Sequence, residues 1–218
     1  VSANATAGFS VVTYTGTGAN ATVGHGLGVA PSMIIVKNRD VNWSWRVYHS
    51  SLANTQILYL DATSAATTDA TAWNSTSPTS SVFSVGSSGG VNESTKKLVA
   101  YCFAAVAGYS AFGSYTGNGS ADGPFVFTGF RPRYIMIKRT DTTNSWVIYD
   151  TARIDYNVND LRLYPNLSNA EGANQGAGLD ILSNGWKARN IDAQNNASGG
   201  TYIYAAFAEV PFKYALGR

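Results

Sequence analysis

The chain has 218 residues, 44% of them apolar and only 13% charged, with 15 basic and 13 acidic side chains leaving a net charge of +2. That apolar share excludes a disordered chain. The lack of a basic run interleaved with aromatics excludes the electrostatic footprint of a nucleic-acid binder, and no apolar stretch is long enough for a membrane span.

In chain order, residues 1–8 are small and polar, with no basic region followed by an apolar one. No signal peptide is visible, and the opening on Val1 rather than Met suggests a processed chain or a piece of a longer one. Tyr14-Thr15-Gly16-Thr17-Gly18 reads as a tight turn between strands. It is not a phosphate loop, because no Gly-Lys-Ser/Thr follows and no helix begins there. Residues 32–37, introduced by Pro31, form a short run rich in Ile, Val and Met that predicts a buried strand. Residues 45–48 follow across the polar turn 40–42 and complete a hairpin. Residues 61–80 are rich in Ala, Thr and Ser and predict loop, whereas 98–106 is an apolar, aromatic-rich strand. Within it lies Cys102, the single cysteine, which allows no intrachain disulfide and no cysteine zinc cluster. In such surroundings it reads as an inert buried thiol.

The pattern then repeats. Tyr115-Thr116-Gly117-Asn118-Gly119 restates the first turn at an offset of 101. The register holds without a gap through Gly28/Gly129, Pro31/Pro132, Ile34/Ile135, Lys37/Lys138, Asp40/Asp141, Trp45/Trp146 and Tyr48/Tyr149. Looser matches follow at 56–60 with 160–164, at 83–85 with 186–188 and at 103–106 with 207–210. The expectation is an all-β chain of two tandem β-sandwich or jelly-roll-like repeats, 1–106 and 107–218, with about seven strands each. Residues kept in both copies serve the shared scaffold. Trp45/Trp146 and Tyr48/Tyr149 are then core or sheet-face residues, and Gly28/Gly129 need an unusual backbone angle or close packing. Lys37/Lys138 and Asp40/Asp141 could form a turn-stabilising contact. Past Val210, Pro211, Phe212 and Tyr214 stand where a third copy would begin, and are read as an oligomer contact.

Catalytic chemistry finds no support in the residues. His25 and His49 read as surface or turn histidines outside any Ser/His/Asp or HExxH pattern. Asp61, Asp69 and Glu93 lack counterparts in the second copy and pick out no acid pair for glycan cleavage. No metal site or cofactor is predicted; calcium through loop oxygens stays open, without EF-hand spacing. The aromatics are the best clue, with 5 Trp, 13 Tyr and 9 Phe. Those not shared between copies are free for another task. Trp43 stands opposite Asn144 in the register, Trp73 sits beside Asn74, and Tyr156 beside Asn157. Rings next to amides are a means of gripping a sugar face, so these five are the candidate glycan contacts. The same rings could instead cap the core or fill a subunit interface. Asn-x-Ser/Thr triplets at Asn4, Asn20, Asn74, Asn92 and Asn196 arise from composition and do not establish glycosylation.

Several segments also carry a resemblance. They are Ala107-Gly108-Tyr109-Ser110, Phe112 through Gly119, Thr128-Gly129-Phe130-Arg131-Pro132, Ile137-Lys138-Arg139-Thr140-Asp141, Ala205 through Tyr214, and in the first copy Gly24-His25-Gly26-Leu27-Gly28 with Ala30-Pro31. Over nearly the whole chain they resemble an uncharacterised tandem-repeat domain of tailed-phage virion proteins of the tail-fibre type. The resemblance implies a virion location, other virion proteins as partners, and contact with host cell-surface polysaccharide; the lack of a catalytic motif gives the expectation of no enzymatic activity. By analogy with fibres it implies a homo-oligomer, a trimer. The alternative is a capsid decoration protein or self-assembling filament subunit without receptor binding.

Overall fold

The computed structural model describes residues 1–173 and 178–210. The protein is all-β, 42% strand and 2% helix. It divides into two compact units, Val1–Ala62 with Ala66–Val106, and Thr63–Ala65 with the chain from Ala107 onward.

The first unit runs β1 (Ser2–Asn4), β2 (Phe9–Thr15), β3 (Ala21–Gly24), β4 (Met33–Asn38), β5 (Arg46–His49), β6 (Gln56–Tyr59), β7 (Thr67–Thr68), β8 (Val82–Val85), one helical turn α1 (Gly89–Asn92), and β9 (Lys97–Phe103). Its main sheet has the order β1-β2-β9-β4-β5-β6-β7, and β3 pairs with β8. The alternation that predicts strands also sorts their faces. Val12, Ile34, Val36, Leu98, Ala100 and Cys102 of the main sheet join Phe83 and Val85 of β8 in one core.

The second unit runs β10 (Ser110–Thr116), β11 (Phe125–Phe127), β12 (Pro132–Arg139), β13 (Trp146–Asp150), β14 (Leu161–Arg162), β15 (Gly172–Ala173), β16 (Leu179–Leu182), β17 (Gly185–Ala188) and β18 (Thr201–Ala208). A four-stranded sheet β10-β18-β12-β13 accompanies a three-stranded sheet β11-β17-β16 and the pair β14-β15. Ile135, Ile137, Val147, Tyr149, Trp186 and Tyr202 form its core. The four-strand order matches β2-β9-β4-β5, and cross-strand partners correspond: Val36 faces Arg46 as Ile137 faces Val147. Each unit has nine strands among the described residues, more than the expected seven, because two-residue pairs such as β7 and β15 leave no alternation to detect.

A buried asparagine ties each Gly-rich turn to its unit. Asn92 Oδ1 accepts the Thr17 N–H at 2.8 Å, while Nδ2 donates to Ala19 O at 2.6 Å and Gly86 O at 2.7 Å. Asn196 repeats the pattern with Asn118 N at 2.9 Å, Ser120 O at 2.8 Å and Asn190 O at 2.6 Å. Both asparagines head Asn-x-Ser triplets, and both are sealed inside. Gly28 and Gly129 hold φ of +74° and +81°, a region that side chains rarely enter.

Three expectations are corrected. His25 and His49 are buried, not surface groups. His25 Nδ1 accepts the Leu27 N–H at 3.3 Å, so Nε2 carries the proton toward Thr79 O at 3.1 Å. The repeated Lys and Asp do not pair with each other. Lys37 donates to Trp43 O and Lys138 to Asn144 O, each across its own hairpin loop. Asp40 and Asp141 instead accept the backbone N–H of Lys97 at 2.7 Å and of Thr201 at 3.2 Å. Finally, 61–80 is loop and turn as expected except for the two-residue β7, but it is not all surface, because Ala72 and Trp73 are buried.

Candidate functional site

The residue that departs most from the scaffold is Arg46. Strand β5 runs into the core through Val47 and Tyr48, and Arg46 lies on the same strand face as Tyr48. It is 7% exposed. Its cross-strand partner on β6 is Tyr59, whose ring lies 4.6 Å from Arg46 Cζ. The Trp43 ring lies 5.8 Å away. Ring faces attract a guanidinium through their quadrupoles, yet Arg46 Nε and Nη1 are sealed from solvent with no hydrogen-bond acceptor.

Trp43 is 39% exposed, and its pose is held from two sides. Its Nε1 donates to Glu93 Oε2 at 2.8 Å, and the same oxygen accepts Asn38 Nδ2 at 3.1 Å. Gly89 and Gly90 form the seat. A Cβ at Gly89 would stand 2.9 Å from the Trp43 ring, and one at Gly90 would collide with Arg46 Nε. The backbone of α1 is therefore shaped to these two side chains. The chemistry available is that of a fixed aromatic face beside a desolvated cation.

The other predicted contacts fare differently. Trp73 is 1% exposed and meets Tyr48 edge-on at 5.8 Å, so this ring, though carried on a turn, belongs to the core and is closed to a ligand. Neighbouring Asn74 is half-buried and turns the chain at φ +51°. Tyr156 is 69% exposed. Asn157 beside it is committed: its amide accepts the Ile181 N–H at 2.9 Å and donates to Ile181 O at 3.1 Å, pinning the loop to β16. Among the described residues, no other predicted contact joins Trp43 in its site. Pro211, Phe212 and Tyr214 lie outside the described residues.

Two exposed rings escaped the sequence reading. Phe125 and Phe127, at 45% and 65% exposure, share the outward face of β11, an edge strand. The offset of 101 gave a signal, since it sets Phe125 and Phe127 opposite Gly24 and Gly26; strand pairing shifts this by two residues, so that Thr22 and Gly24 of β3 stand where β11 has the rings. The same signal marks Arg46, since the first hairpin has a cation where the second has Val147.

A family profile described as Domain of unknown function (DUF7483) matches residues 1–211. The chain belongs to that family. The DUF7483 match runs through both units. No curated protein and no solved structure matches the DUF7483 chain.

Proposed function

We propose that this DUF7483 chain is a non-enzymatic module of a phage virion, of the tail-fibre or receptor-binding kind. It is built from two tandem copies of one β-sandwich unit and contacts host-surface glycans through Trp43. The observation that carries this reading is a solvent-facing indole locked by Glu93 and the Gly89 seat, at a position where the second unit has Asn144. An indole fixed in place stacks on a sugar face without first losing rotamer freedom. A single contact of this kind is weak, and a homotrimer displayed in several copies alongside other virion proteins makes attachment firm by avidity.

The test is binding of labelled protein to host cells before and after periodate oxidation of surface sugars. Binding lost on oxidation, and lost again in Trp43→Ala, is the expected result. Periodate-insensitive binding would refute a glycan receptor.

A second reading, a decoration or filament subunit, is favoured by Phe125 and Phe127. Two phenyl rings with no polar handle on an edge strand suit a protein surface better than a sugar. Under it, Phe125→Ser with Phe127→Ser lowers the oligomeric state in light scattering. An unchanged mass would count against it.

A further inference from the structure

We infer that the Trp43 site takes an acidic sugar, with its carboxylate group on Arg46; this rests on the glycan-contact reading above. Arg46 carries a permanent charge and five N–H donors. At 7% exposure it has been withdrawn from water. The rings of Tyr59 and Trp43, at 4.6 Å and 5.8 Å, cover its faces but accept no hydrogen bond in its plane. Nε and Nη1 are sealed without an acceptor, and Nη2 is the one nitrogen outside that sealed set. No ion pair answers the charge among the described residues, and the nearby Glu93 directs its Oε2 to Trp43 and Asn38 instead.

The second unit also buries a guanidinium, Arg162 of β14, but it answers that charge with Asp192 at 3.2 Å and Gln194 at 2.9 Å, partners that Arg46 lacks among the described residues. At the matching place in the second hairpin, Val147 is fully buried and packs in the core. Replacing a valine by a buried, unpaired guanidinium destabilises a fold. Even so, the first unit gives up a side chain at Gly90 to make room for it, and another at Gly89 to seat Trp43 beside it. Such an outlay without a structural return marks a position kept for a ligand, and the ligand that completes it is an anion. A carboxylate at the Nη2 edge makes a charge-assisted hydrogen bond in a site from which water is largely excluded. The adjoining Trp43 face then receives the sugar ring that bears it.

The experiment is calorimetric titration of the whole chain with oligogalacturonate, with the same oligomer fully methyl-esterified, and with sodium sulfate, for wild type, Arg46→Met and Trp43→Ala. The acid oligomer is expected to bind wild type about tenfold more tightly than its ester, a preference that salt erodes. Arg46→Met abolishes the preference, and Trp43→Ala weakens both oligomers. Equal binding of acid and ester overturns the inference while leaving the glycan reading intact. Sulfate binding without uronide binding makes Arg46 a seat for a free inorganic anion and overturns the acidic-sugar assignment. Binding of none of the three overturns it as well, and the periodate experiment then decides the glycan reading separately. Should Arg46→Met fail to fold, the salt dependence of acid against ester in wild type separates the same outcomes.

Discussion

Replacing Asn92 by alanine removes three short hydrogen bonds at once. Thr17 N loses its acceptor, and Ala19 O and Gly86 O lose their donor. The Asn92 bond to Gly86 is buried, so that carbonyl bears the full penalty of an unsatisfied group, about 2 kcal/mol. Thr17 and Ala19 lie at the surface, where water replaces much of the loss, leaving about 0.5–1 kcal/mol each. The sum is about 3–4 kcal/mol. Asn92→Asp is the sharper probe: it keeps the acceptor for Thr17 but turns an oxygen toward two carbonyl oxygens. It should destabilise more than alanine at neutral pH and recover as acid protonates the new carboxyl. Asn196, with the same three kinds of partner, should behave alike in its own unit. Urea unfolding monitored by tryptophan fluorescence measures both. A change under about 0.5 kcal/mol for either alanine variant would refute the view that these asparagines hold the turns.

Lys138 supplies a pH test. Burial pushes its ammonium down from the ordinary 10.5 to about 8. Between those values the unfolded chain keeps a proton that the folded chain has shed, so stability rises with pH across that window. The rise is about 3 kcal/mol, seen as wild type gaining stability relative to Lys138→Met in urea titrations from about pH 7.5 to 10.5. Subtracting the variant cancels the buried tyrosines, and a flat difference would contradict the assignment. Burial likewise pushes the Cys102 thiol up to about 12. A thiol reagent should therefore label it only on unfolding, and rapid labelling of native protein at about pH 8 would be inconsistent with its place in the core. Gly90→Ala should drive the new methyl into Arg46, displace Trp43 and blunt glycan binding with little change in the second unit; unaltered binding would show that the seat is not specific.

The all-β class and the two central hairpins were legible because runs such as Met33–Asn38 carry β-branched residues at strand spacing between polar turns. Trp73 was misread because its neighbours Asn74, Ser75 and Thr76 are typical of loops. Its burial comes from Tyr48, distant in sequence, which no local pattern encodes. The histidines misled for a similar reason: a neutral imidazole that accepts a backbone N–H two residues on can sit in a core, and that bond leaves no mark in composition. Trp43 was found by comparing the halves. Arg46 was findable in the same way, as a cation opposite Val147, but an arginine in a short strand ordinarily reads as its solvent face.

In each main sheet the strand made last lies between strands made much earlier: β9 pairs with both β2 and β4, and β18 with both β10 and β12. A ribosome therefore exposes two unpaired strand edges of a unit until its final strand emerges. Hairpins form early, but neither main sheet closes before that strand inserts, and such long-range closure is slow. The first unit can close before the second has been made. A chain cut short ahead of β9 or β18 would lose the middle of its sheet and be left with two exposed edges competing for any strand nearby.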